Sequence, residues 1–203
     1  MTLTMIVISA AIAASAGFLA SRRRSSKQEL AEGKDAADRK KPKAALPAPK
    51  PLDGFPIELG DVISSGGEER WLSGAIAARE QAAVMALFFA PEGREHFVVA
   101  AYPLPERDIL WLRPIEVVSP AEPPATLEIG GQAMQRKNRF PVKLERFGQG
   151  APDVGSTGIV ATYTTGTREV AVVLASEQRC LAWSGRRMDS SEYDRMGKSL
   201  DDE

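Results

Sequence analysis

In "FPVKLERFG" the apolar residues Phe140, Val142 and Leu144 fall at every second position. In "GIVATYTTG" Ile159, Ala161 and Tyr163 do the same. An apolar residue at alternate positions puts one face of an extended chain against a core, so both stretches predict strands. Gly148, Gly150, Pro152 and Gly155 lie between them and break any helix there. The upstream stretch "SGAIAAREQAAVMALFFA" carries the opposite signal, because Ala, Arg, Glu, Gln, Met and Leu all favour helix.

An internal comparison decides between these signals. "FFAPEGREHFVVAA" (Phe88–Ala101) aligns without gaps on "TYTTGTREVAVVLA" (Thr162–Ala175). Phe89 then faces Tyr163, Arg94 faces Arg168, Glu95 faces Glu169, Val98 faces Val172 and Val99 faces Val173. Gly-marked openings precede both blocks, "IELGDVISSGG" and "LEIGGQ", and tryptophan-bearing pieces follow them, "DILWL" with Trp111 and "CLAWSG" with Trp183. The spacing of about seventy residues is too long for a solenoid and predicts a duplicated small unit. If the halves are alike, the helix-favouring stretch is also strand–turn–strand.

The expected fold is therefore mainly β. It has two pseudo-repeated units of about five antiparallel strands each, in a small barrel or sandwich. Turns are expected near Gly66-Gly67, Gly93, Gly130-Gly131 and Gly166, and Pro120, Pro123 and Pro124 mark the join. Residues 54–120 form the first unit and 121–203 the second. Trp111 and Trp183 are expected core residues, in equivalent places if the units are homologous. Near the end, "MDSSEYDRMG" offers Asp189 as N-cap, Glu192 three residues on and Gly197 as a stop, which predicts a short C-terminal helix.

The first twenty residues have no such alternation. Leu3 to Ala20 is uncharged and about long enough for a hydrocarbon core of ~30 Å. No basic residue precedes it, as one would in a secretory signal, and Arg22, Arg23 and Arg24 follow it. The reading favoured is a retained single-pass anchor over 1–21, with the arginines holding the C-terminal side in the cytoplasm. Residues 22–53 read as a disordered, Pro-containing linker, because they hold almost no large apolar residue. A plain spacer is favoured over a segment lying on anionic lipid.

Charge sharpens this division. Residues 21–50 hold ten Lys/Arg and four Asp/Glu, which leaves sixteen basic and twenty-three acidic residues for the remainder of the chain. An acidic domain on a basic tether is a poor nucleic-acid binder, so no nucleic-acid partner is expected. The 43% hydrophobic content is ordinary for a globular protein, and one cysteine allows no intrachain disulfide.

Candidate chemistry is sparse. His96 is the lone histidine, inside a predicted strand, and Cys180 sits beside Leu181 in "RCLAW". Both read as structural, and together they are too few for a transition-metal site. "GSTG" at Gly155–Gly158 has no following lysine and reads as a turn. Glu68-Glu69 reads as solvated. Arg94-Glu95 and Arg168-Glu169 are candidate repeated surface pairs, with hairpin-end charge as the simpler role. No catalytic, cofactor-binding or metal residue is assigned, and no cofactor is expected.

The opening "LGD", the "WL" after the first strand, the "Y…G" hairpin, the "SE" and the closing "YDRMG" resemble domain-of-unknown-function family 4178, a bacterial family, across most of Ile57 to Gly197. The resemblance implies a mostly β domain. Such domains are often encoded near membrane-stress and polyamine-related genes, and no catalytic residue carries over. The expected function is a membrane-anchored cytoplasmic β module that binds the membrane and a protein partner as an accessory component. The alternative is a small-molecule sensor or a carboxylate enzyme, using residues such as Glu80 and Asp153, with its site between the units.

Overall fold

The computed structural model describes residues 52–117, 122–166 and 168–197. The anchor and linker read over 1–21 and most of 22–53, with Arg22, Arg23 and Arg24, lie outside the described residues. Among the described residues no helix is long and apolar enough to cross a membrane.

Twelve strands follow one another along the chain. They are β1 (Val62–Ser65), β2 (Glu68–Trp71), β3 (Gly74–Arg79), β4 (Ala83–Glu92), β5 (Glu95–Ala101), β6 (Ile109–Ile115), β7 (Thr126–Ile129), β8 (Gln132–Gly148), β9 (Thr157–Thr164), β10 (Glu169–Ser176), β11 (Cys180–Met188) and β12 (Asp194–Met196). The fold is mainly β, as expected. Eight strands close an antiparallel barrel in the order β3-β4-β5-β6-β11-β10-β9-β8, with β8 returning to pair with β3. β7 adds outside the ring on the first part of β8. A separate sheet has the order β12-β1-β2.

Glycine chemistry sets the tight turns. Ser65 pairs with Glu68 across Gly66-Gly67, Glu92 with Glu95 across Gly93-Arg94, and Ile129 with Gln132 across Gly130-Gly131. The named glycines all take positive φ, as two-residue hairpins require. The helix-favouring stretch is the β3–β4 hairpin. Ala75, Ala77, Ala86 and Phe88 point outward from it while Ile76, Ala78, Leu87 and Phe89 point inward. Tertiary burial on both faces overrides local helix propensity.

Alternate residues of all eight barrel strands fill the interior, from Ile76 on β3 to Trp183 on β11. This suits a barrel of eight strands, which side chains just fill. The loop between β8 and β9 adds Ala151 and Val154 to the same core. Two further clusters cover the outside. Leu52, Phe55, Ile57, Ile63 and Leu72 pack on β3–β6, so the small sheet is a lid over that wall. Leu127 and Met134 of the β7–β8 hairpin pack on Ala161, Tyr163, Ala171 and Val173. The Tyr163 hydroxyl donates to Pro124 O at 2.8 Å, and Arg136 Nη1 to Pro123 O at 2.6 Å, which ties the proline-marked join to the wall.

β3–β6 and β8–β11 are each four-stranded meanders, and they share one core. The gapless alignment holds only on one side of the hairpins. Val98 and Val172 both face inward, and Val99 and Val173 both face outward. Phe89 faces inward but Tyr163 faces outward. The β4–β5 hairpin has a two-residue loop, whereas Thr164 pairs with Val170 across five residues, and this shifts the strand phase by one. The tryptophans differ because of the next connections: Trp111 pairs with outward Val99 and Trp183 with inward Val172, so Trp183 is inside the barrel, Trp111 is on its outer wall, and their places are non-equivalent.

The expected C-terminal helix is not present. One of the two capping-box bonds forms, with Asp189 N donating to Glu192 Oε2 at 2.9 Å, while Glu192 N donates to the Asp189 backbone carbonyl rather than to its side chain, also at 2.9 Å. They close a single turn. β12 then pairs with β1, Ser65 Oγ donates to Glu192 O, and the Tyr193 hydroxyl donates to Arg107 O. So short a segment makes a poor isolated helix, and strand pairing with burial of Tyr193 wins.

The Glu192 carboxyl lies below its ordinary range because the Asp189 N–H donates to it, and next because Arg168 does. A carboxyl lowered by folding stabilises the folded turn above its unfolded pKa, and that contribution is lost as pH falls through the folded value. Amide exchange at Asp194–Met196 should therefore quicken, after correction for intrinsic rates, as the pH drops below the usual carboxylate range. Glu192→Gln should remove that pH dependence.

Candidate binding cleft

β5 and β6 do not pair along their whole lengths. Their ladder runs from Ala101–Ile109 to Val98–Leu112 and stops. Beyond it, Glu95, His96 and Phe97 stay with β4, while Arg113, Pro114 and Ile115 stay with β11. Pro114 lacks the N–H that a central ladder needs, which suits it to an open edge. The barrel wall is thus split at one end.

A cleft of about 520 Å³ occupies the split. Phe89, Leu181 and Trp183 line it from the barrel core, with Ile115 and Val117 at the side. Phe89 and Trp183 meet edge to face, with ring centroids 5.9 Å apart. The indole Nε1 donates to His96 O at 3.2 Å, which satisfies the buried N–H and holds the β5 edge against the core. Arg94, Glu95, His96, Glu116 and Arg179 give the cleft a polar lining of mixed sign, and half-buried Cys180 also borders it.

Arg70 closes the split from outside. It lies on β2 and is only 4% exposed. Its Nη1 donates to Val98 O at 3.3 Å and Leu112 O at 2.9 Å, the carbonyls of the last β5–β6 pair. The guanidinium stacks 3.8 Å from the Trp111 ring centroid and 4.6 Å from that of Phe97. Burial pulls its pKa down to about 10, while Glu68 pushes it up. Arg70 therefore stays protonated at neutral pH, with its charge held by two rings and two carbonyls. Glu68 Oε2 stands 3.9 Å from Nη2, and Nη2 itself has no hydrogen-bond partner. Glu68 also accepts from Trp111 Nε1 at 3.3 Å and Arg113 Nη2 at 2.7 Å. Its side chain is half exposed and also ties these groups together.

Replacing Arg70 by Met keeps much of the volume against Trp111 and Phe97 but removes both donors to the carbonyls. The expected loss is about 1–3 kcal/mol. Arg70→Lys should not rescue it, because an ammonium cannot stack and fork as a guanidinium does. Urea unfolding of the two variants checks this.

The candidate surface pairs separate. Arg94 and Glu95 line the cleft. Arg168 instead holds the C-terminal turn, donating to Glu192 Oε1 at 2.7 Å and lying 3.8 Å from Asp189. Glu169 accepts from the Thr165 hydroxyl at 2.7 Å and borders a second hollow of about 400 Å³ with Glu68, Trp111 and Arg113. Glu80 is in the β3–β4 turn and Asp153 in the β8–β9 loop, where Gly155 N donates to its side chain. Among the described residues no three His, Cys, Asp or Glu side chains gather as metal ligands.

Arg70 and Glu68 were missed by sequence reasoning. A charged residue in "GEERWL" reads as exposed, and only the alternation of β2 against Ile63 turns Arg70 inward. The cleft was also invisible, because it arises from where a ladder stops. No protein-family model matches the chain, and neither a curated protein nor a solved structure matches it.

Proposed function

We propose that the chain is a membrane-tethered β-barrel binding module that takes an extended segment of a protein partner at the β5–β6 split. The observation that carries this reading is the split itself. It leaves two strand edges without a ladder partner beside a cleft with an aromatic floor. Strand edges offer main-chain hydrogen bonds to an incoming segment, and the Phe89–Trp183 floor offers a seat for one of its apolar side chains. A duplicated four-stranded meander, β3–β6 and β8–β11, is part of the same reading, with the phase shift at the second hairpin acquired after duplication. So is kinship with domain-of-unknown-function family 4178, which rests on the short motifs quoted above.

Fluorine-labelled tryptophan tests the site, because Trp71, Trp111 and Trp183 report separate places. Titrating the full chain with the blocked peptide acetyl-Val-Phe-Val-amide should shift the Trp183 resonance and the amides of Glu95–Phe97. A shift of Trp183 by 3-phenylpropionate without any effect of the peptide favours a small-molecule sensor. No shift by either at millimolar concentration overturns the binding reading.

The location is proposed from charge order. Residues 1–21 anchor the chain and Arg22, Arg23 and Arg24 keep the barrel in the cytoplasm. A phosphatase that works only when exported, fused after Glu203, should be inactive. Replacing the three arginines by Glu should raise its activity. An active fusion on the native sequence overturns this topology.

A further inference from the structure

The β5–β6 split has a second side. His96 and Pro114 line the inner cleft, and the residues next to them, Phe97 and Arg113, line a hollow of about 370 Å³ on the outer wall. Strand alternation dictates this, since successive side chains leave a strand on opposite faces. The outer hollow has different chemistry from the aromatic cleft. Glu68, Glu69 and Glu92 border it together with Arg70. Arg113 is paired with Glu68 at 2.7 Å. Glu69 and Glu92 are exposed and make no side-chain hydrogen bond or ion pair among the described residues.

Arg70 supplies the feature that points to a ligand. Its side chain is almost wholly buried, and its Nη1 donates to Val98 O and Leu112 O. Its Nη2 has no hydrogen-bond partner. A buried donor without an acceptor carries a free-energy cost that an incoming carbonyl would relieve.

We infer that the segment taken at the split alternates apolar and basic residues, with an apolar side chain inside against Phe89 and Trp183 and a Lys or Arg outside beside Glu92. The inference rests on the split being a strand-binding edge, and adds the sequence that this edge selects. A segment that adds to a strand edge lies in the plane of the barrel wall. Its side chains then point alternately into the aromatic cleft and out over the acidic hollow. One of its main-chain carbonyls accepts from Arg70 Nη2, as Val98 O and Leu112 O accept from Nη1. Three carboxylates face two guanidiniums in the hollow, so a cation is attracted there and an anion repelled. For the same reason a neutral carbonyl suits Nη2 better than a free carboxylate does.

Three blocked tripeptides test this: acetyl-Lys-Phe-Lys-amide, acetyl-Gln-Phe-Gln-amide and acetyl-Glu-Phe-Glu-amide. With Phe seated inside, both flanking residues face outward whichever way the peptide runs. Titrating the full chain and following fluorine-labelled Trp183 gives each dissociation constant. The Lys peptide should bind at least about three-fold more tightly than the Gln peptide, and the Glu peptide more weakly than both. The Trp111 resonance should move with that of Trp183, because Arg70 stacks on the Trp111 ring. Glu92→Gln should remove most of the Lys preference and leave the Gln peptide unchanged. Glu80→Gln, in the turn at the other end of β4, should leave both unchanged. Equal binding of the three peptides overturns the alternation and leaves the cleft a binding site. So does a Lys preference that survives Glu92→Gln, or one that Glu80→Gln reduces equally, which means the general field of an acidic domain. No shift of Trp183 by any of the three overturns the binding reading, and this inference with it.

Discussion

Trp183→Ala should lower the melting temperature of the full chain by about 6–20 °C, the largest loss expected from any side-chain truncation in the barrel. Trp183 is buried within the barrel, edge to face with Phe89, and lies on the same core as Val172 and Leu174. Truncation removes that apolar area and widens the cleft at the split end of the barrel, which leaves Phe89 without its ring partner. Such losses amount to about 3–5 kcal/mol, a large share of a typical 5–15 kcal/mol stability. The indole also donates to His96 O, so truncation frees the β5 edge where the ladder has already ended. Trp183→Phe separates the two contributions. It keeps a ring against Phe89 and loses only the hydrogen bond and part of the volume, so its cost should be nearer 1–2 kcal/mol, roughly. An unchanged melting temperature in Trp183→Ala would overturn the core assignment. His96→Ala should be mild in the same assay, because its carbonyl remains.

The contrast with Trp111 shows what the sequence pattern conveys. Both tryptophans end comparable blocks, and burial of both is readable from their apolar settings. Which wall each one faces is not. A one-residue change in phase sends Trp183 inward and Trp111 outward against Arg70, and loop length sets that phase. The glycine turns were legible because positive φ singles out glycine chemistry at Gly66-Gly67, Gly93 and Gly130-Gly131. The β3–β4 hairpin was legible only by comparison with β8–β9, since its own residues favour helix. The Asp189 N–H to Glu192 bond of a capping box was legible, but not the strand that competes for the residues after it. The candidate cleft left no trace in the sequence apart from Pro114. It is defined by the absence of pairing, and its outer closure by Arg70 depends on a contact with residues 28 and 42 positions away.

Gly74→Val should be among the most damaging substitutions of a residue that makes no side-chain contact. Gly74 begins β3 at the seam that closes the barrel, paired with Phe89 on one side and Gly148 on the other. A Cβ there falls on the backbone nitrogen of Ala151 and 2.7 Å from the carbonyl carbon of Gly150. Those are main-chain atoms of a loop whose Ala151 and Val154 are buried in the core, so the loop cannot step aside cheaply. Either β3 leaves β8 or the loop leaves the core, and both open the barrel. The expected loss exceeds about 4 kcal/mol, at the extreme of single substitutions. Two glycine variants discriminate this steric account from a general need for backbone freedom. Gly150→Ala meets the Ser73 hydroxyl, a side-chain atom able to turn away, so it should cost less. Gly93→Ala meets nothing within 4 Å but must hold φ near 61°. It should cost only about 1–2 kcal/mol, the ordinary left-handed penalty. Urea unfolding should rank the three with Gly74→Val far the worst. If Gly93→Ala matches it, φ rather than close approach limits the fold, and β3–β8 closure is not the weak seam of this barrel.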